Sequence, residues 1–232
     1  MVYKDLVAFC QSNKLVPTRD MRARIESNFK PFREKYSKGD TLVDSSDAHN
    51  GTHFYEIREW VSEDKSIRIT YFFLTRIYSK FARKTIFDFF YKYGHQPDIY
   101  IANSTVWDIS RYGENSVDDF YQNLGYFFKD CYDLKVDKQN DIAPMIIWRT
   151  ALPVSEDARG GFLIPTQPTA SKTANFRLDI PKANNYILQK CLSDWKEYKV
   201  EVIDLHNDFT NFIPSDLKED GIHLEFIKNE FF

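Results

Sequence analysis

The chain has 232 residues and a formal net charge of −3 at pH 7, with 43% hydrophobic and 16% aromatic residues. That apolar content excludes a disordered chain, and the near-balanced charge lacks the basic footprint of a general nucleic-acid binder. No apolar run approaches the roughly 18 residues of a membrane span, so the expectation is a soluble globular protein, a single domain over residues 1–232.

In chain order, a helix opens the sequence at Val2–Gln11, where charge interrupts the apolar stretch and argues against a signal peptide. Pro17–Thr52 is charged and reads as a helix or two followed by a surface loop. Four runs then read as strands: Ile67–Thr75, Asp98–Ser104, Pro144–Ala151 and Val200–His206. Three of them are continuously apolar, the pattern of strands covered on both faces of a parallel sheet. Helix-spaced segments separate them at Tyr78–Tyr93, at Ser116–Leu134 (with Asn115 or Ser116 as N-cap) and at Pro181–Tyr198, whose proline suits a first turn. Val154–Ala174, with Gly160-Gly161, Pro165 and Pro168, reads as an inserted loop. The alternation predicts a three-layer α/β domain with right-handed crossovers and a mostly parallel sheet. Such domains normally open on a central strand; this one opens on a helix, so a first strand is expected to be missing at the front.

Cys10, Cys131 and Cys191 are odd in number and far apart, which is neither a disulfide framework nor a zinc site. They predict reduced thiols and a cytoplasmic protein. The histidines show no metal-ligand spacing, and the chain has no G-x-S-x-G, Walker or G-x-G-x-x-G motif, so no metal and no cofactor are expected.

Parallel sheets place their sites beyond the carboxyl ends of the strands. The candidates there are Thr75-Arg76, Asn103-Ser104, the stretch after Ala151 and Asp204–His206, with Asp220-Gly221-Ile222-His223 in a late loop. Asp220, three residues before His223, suits an acid that fixes one imidazole tautomer; the plainer reading is a surface turn with a capping Asp. Asp204 and His206 are a rival pair, on one side of a strand at i,i+2. Asn103 could donate to an oxyanion, although such an amide more often bonds nearby backbone. Trp107 is expected in the core, and the basic residues of Lys80–Lys84 on a solvated helix face.

Asn103-Ser104-Thr105-Val106-Trp107-Asp108-Ile109-Ser110-Arg111-Tyr112-Gly113 resembles the N-S-x-x-W-D-x-S-R-Y-G signature of the PC-esterase domain-containing family, in the GDSL/SGNH-like acyl-esterase group. The runs VYKDL (2–6), HNGT (49–52), FFLTRIY (72–78), IDLH (203–206) and DGIH (220–223), and Pro153 with Gly160-Gly161-Phe162, fall in that family's order, so the resemblance covers Val2 to about Leu224. It implies a flavodoxin-like SGNH-hydrolase fold and hydrolysis of a small ester or acylated substrate by a Ser-His-Asp arrangement. Carried over by motif, Asp220 orients, His223 is the general base, and Asn103 is the oxyanion donor, with Gly51 a second. The family's nucleophile is the Ser of a G-D-S that ends the first strand before the V-Y-K-D-L helix. No G-D-S occurs in this sequence, and Leu224 stands where a Trp often follows the histidine. The expectation is an SGNH-like domain clipped at both ends and inactive as given, with Ser104 bonding its own turn rather than replacing the nucleophile. The alternative is a pseudoenzyme, a binding or scaffold domain that recognises its partner through Val154–Ala174. A module for a phosphorylated ligand lacks the Gly-rich loop it would need.

Overall fold

The computed structural model describes residues 2–12, 39–46, 54–94, 96–112, 115–134, 143–155 and 173–209. They fall into two compact units, Met1–Leu74 and Thr75–Phe232.

In the first unit, helix α1 (Val2–Ser12) accompanies strands β1 (Thr41–Ser45), β2 (Tyr55–Val61) and β3 (Arg68–Leu74) in a sheet of order β1-β2-β3. Residues 62–67 are too few for a crossover, so β2 and β3 pair antiparallel, with Trp60 opposite Ile69 and Arg58 opposite Tyr71. Tyr3 and Val7 of α1 bury against Trp60, with Cys10, Ile69 and Tyr71 around them. Arg58 is buried and stays charged because it meets Asp40 at 3.0 Å and Glu56 at 2.6 Å, while Tyr3 donates its hydroxyl to Asp40 at 3.2 Å. Two expectations are corrected here. The Ile67–Thr75 run is an antiparallel strand outside the parallel sheet, and a strand, β1, lies inside Pro17–Thr52. The charged pattern of Tyr-Glu-Ile-Arg-Glu-Trp-Val (55–61) concealed β2, because its Arg is neutralised partly by Glu56 in the same strand and partly by Asp40, 18 residues away.

The second unit runs α2 (Lys80–Tyr93), β4 (Ile99–Ala102), α3 (Thr105–Arg111), α4 (Ser116–Asp133), β5 (Met145–Arg149), α5 (Thr173–Leu192), a 3-10 turn (Lys196–Tyr198), β6 (Val200–Ile203) and α6 (Leu205–Asp208). Helix α2 starts where Ser79 accepts the Ala82 N–H and stops at Gly94, whose φ of +69° suits a residue without Cβ. The strands pair in parallel in the order β4-β5-β6. Because that order never reverses, crossovers of one hand carry α4 and α5 to the same face. That face is the core: Trp148 and Ile146 are fully buried, with Phe120 and Phe128 of α4 at 6.1 and 5.9 Å from the Trp148 ring. Phe90 of α2 meets Tyr100 edge-on at 6.0 Å. On the opposite face Ile99, Ile101, Met145 and Ile203 are exposed, 53% and 48% for Ile99 and Met145.

The expected α/β class holds, and three of the four expected strands form the parallel sheet. Among the described residues the structure differs in joining three strands in that sheet and in forming a separate antiparallel one. Pro181 lies inside α5 rather than at its first turn. The chain after Ile203 turns into α6, so Val200–His206 is not one strand. The three cysteines are unpaired thiols within helices, as expected.

Trp148→Ala should lower unfolding free energy by about 3–5 kcal/mol, the range for deleting a buried aromatic. Ile99→Ser on the open face should change it by less than about 0.5 kcal/mol. Urea denaturation of both variants checks the assignment of the two faces.

Candidate active site

The parallel strands end in a continuous line of hydrogen bonds. Asn103, just past β4, donates its side-chain amide to the carbonyls of Arg149 (2.9 Å) and Thr150 (3.1 Å) at the end of β5. Thr150 in turn reaches β6. Its N–H bonds the Ile203 carbonyl, and its hydroxyl lies 3.2 Å from Asp204 Oδ1 and accepts the His206 N–H at 2.9 Å. His206 Nδ1 sits 3.3 Å from the Ala151 carbonyl. Asn184 of α5, 1% exposed, grips the same residue by accepting the Ala151 N–H and donating to its carbonyl, both at 3.1 Å. Three strands and a helix are thereby locked where a site belongs.

Beneath this line lies a buried carboxylate. Asp108 of α3 is 1% exposed. Its Oδ2 accepts the Ile77 N–H at 2.8 Å and the Ser104 hydroxyl. Its Oδ1 is 3.6 Å from Arg76 Nε, and neither of those two atoms has a hydrogen-bond partner among the described residues. Arg76 bonds Asp119 at the start of α4 at 2.8 Å and lies over the Tyr112 ring at 4.5 Å, while the Tyr112 and Thr75 hydroxyls are 2.9 Å apart. Consecutive residues Thr75, Arg76 and Ile77 are therefore strapped to the segment from Ser104 to Tyr112. Burial pushes the Asp108 carboxyl up to about 7, against the lowering effect of Ser104, Ile77 and Arg76. Beside it Arg111 stacks on Trp107, 3.4 Å from the ring centre, and remains charged although burial lowers its pKa to about 10.

Asn103 is thus where the sequence put it, at a strand end, with its amide hydrogens on backbone carbonyls. Asp204 and His206 share the network, but not as a strand pair: Asp204 is the N-cap of α6, accepting the Asn207 N–H. Trp107 is half-buried under Arg111 rather than a core residue. Asp220, His223 and Gly51 lie outside the described residues. Sequence reasoning missed Asn184 and Thr150. The signal for Asn184 was a polar residue on the helix stripe of Ile180, Ala183 and Ile187, all fully buried. A cleft of about 440 Å³, lined by Met145, Cys191, Lys196, Lys199 and Glu201, opens at the other ends of β5 and β6, away from this network. Among the described residues no cluster could hold a metal ion, and no helix is long and apolar enough to cross a membrane.

The raised pKa has a sign. The folded chain holds the Asp108 proton between its ordinary value of 3.8 and about 7, so this contribution to stability is full below about pH 4 and is lost as pH rises through 7. Asp108→Asn cannot titrate there. Its stability relative to the unsubstituted chain should rise from pH 5 to pH 8, as read from denaturation midpoints across that range.

Comparison with curated proteins finds relatives along nearly the whole chain. Human PC-esterase domain-containing protein 1B is 34% identical over 225 residues, which are 96% of this chain and 47% of that protein. Human PC-esterase domain-containing protein 1A is 30% identical over 223 residues, again 96% of this chain and 45% of the relative. The mouse 1B protein is also 30% identical, over 226 residues and 48% of its length. The chain spans about half the length of the curated relatives it matches. No family model matches it, and no solved structure does. With 30–34% identity along 96% of its residues, and with the N-S-x-x-W-D-x-S-R-Y residues of its signature string following a parallel strand, this chain is a homologue of the PC-esterase domain-containing proteins.

Proposed function

We propose that the chain carries the acid–base part of an SGNH-type serine esterase acting on a small ester or acylated substrate. What supports the reading is the convergence of β4, β5 and β6 on one hydrogen-bonded line at their carboxyl ends, in a homologue of proteins named for an esterase domain. Asp220 holds the His223 imidazole in one tautomer, and His223 removes the proton of a serine hydroxyl as that oxygen attacks the ester carbonyl. The acyl group passes to the serine, the alcohol leaves with the proton from His223, and water then releases the acid. Asn103 donates to the oxyanion, which requires one amide hydrogen to leave Arg149 or Thr150, the Thr150 bond being the longer. The sequence has no G-D-S, and the Ser104 hydroxyl is committed to buried Asp108. Neither supplies the nucleophile.

One observation favours a second reading, a binding domain without chemistry: both Asn103 amide hydrogens are already spent on backbone carbonyls. A fluorophosphonate probe separates the two. The product of the full coding sequence should be labelled at serine, and His223→Ala should cut labelling by roughly 10³-fold or more. A folded, full-length product that shows no His223-dependent labelling sinks the esterase reading in favour of the binding domain.

A further inference from the structure

Asn103 and Asp108 are joined by a single relay. Ser104, next to Asn103 in the chain, is buried and gives its hydroxyl proton to Asp108 Oδ2, the oxygen that also takes the Ile77 N–H. The other oxygen, Oδ1, faces Arg76 Nε across 3.6 Å, beyond hydrogen-bond reach. A buried carboxylate held in this way has two states. Ionised, it is drawn to Arg76 and accepts two charge-assisted bonds. Protonated, it is a weaker acceptor and no longer pairs with the guanidinium. Among the described residues the groups around it are few. Arg76 comes from the turn before α2 and Asp119 from α4; Tyr112, at the end of α3, lies under Arg76 and also responds to Arg111. Of these, Asp108 is the carboxylate shut away from water, and its ionisation falls near neutrality.

We propose that Asp108 is a positioning residue of the site: its ionisation sets the strength of the Ser104 bond and, through the Asn103–Ser104 turn, how firmly the Asn103 amide is held on the Arg149 and Thr150 carbonyls. Ionised Asp108 pins the turn; protonated Asp108 loosens it and lets the amide swing. The catalytic consequence rests on the esterase reading above, whereas the coupling between the two residues does not.

The test follows the Asn103 side-chain amide by ¹⁵N NMR of the whole chain between pH 5.5 and 8.5, with Asn103→Ser identifying its resonances. They should shift with a midpoint near pH 7. In Asp108→Asn that titration should vanish, the resonances holding at all pH the positions of the unsubstituted chain at pH 5.5. In Ser104→Ala the Asn103 shift should also vanish, while the Asp108 carboxyl carbon still titrates. A residue that serves only to hold the fold would not give this pattern. Asn103 resonances that stay still in the unsubstituted chain, or that keep their midpoint in either variant, overturn the proposal. Ester hydrolysis by the full-length product, assayed with p-nitrophenyl acetate, is a separate arm. If Asn103 follows Asp108 but no His223-dependent hydrolysis exists, the esterase reading fails and the coupling stands. If hydrolysis is His223-dependent while Asn103 ignores Asp108, the coupling fails and the esterase reading stands.

Discussion

A carboxylate with almost no contact with water has to be satisfied from inside the protein, and around Asp108 this requirement organises the second unit. Its oxygens collect an N–H from the turn before α2, a hydroxyl from the end of β4 and the field of Arg76. Arg76 passes the constraint to α4 through Asp119. Stripping a charge of water costs several kcal/mol, and the bonds that offset the cost tie together segments far apart in the chain. The offset is incomplete, since Oδ1 and Arg76 Nε do not reach each other. That is why the carboxyl prefers to keep its proton up to about pH 7.

Above this anchor the strand ends form a second layer of bonds. Asn103 ties β4 to β5, Thr150 ties β5 to β6, and Asn184 ties the end of β5 to α5. Amides and a hydroxyl hold the backbone, and the acid among their partners, Asp204, is only half-buried. The layer is rigid where a site needs rigidity, and it consumes the donors such a site would use. The two readings of function differ on whether the Asn103 amide stays on its carbonyls or leaves them.

The sheet beneath has one packed face and one open face. Winding in a single direction brings α4 and α5 over Trp148 and Ile146 and leaves Ile99, Ile101, Met145 and Ile203 exposed. Parallel sheets are normally covered on both faces, so this apolar surface marks where the described part of the sheet departs from the usual three-layer arrangement.

By itself the sequence determined the elements whose patterns are local. The apolar runs of β4, β5 and β6 and the helical spacing of α2 and α4 could be read because each repeats with its own period. The W-D-x-S-R-Y-G string could be read because it is long and contiguous, and it carried the family resemblance that the relatives bear out. Tertiary structure alone decided what depends on distant partners. The strand at Tyr55–Val61 was hidden because Arg58 is neutralised in part by Asp40, far from it in sequence. Ile67–Thr75 looked like a parallel strand because apolar runs carry no information about the direction of their neighbours. Asn184 and Thr150 looked like ordinary polar residues until the fold set them against Ala151 and Asp204. Asp108 appeared only as a letter in a motif. Burial raises its pKa and an Arg that falls just short of it only partly brings it back down, and no local pattern encodes either.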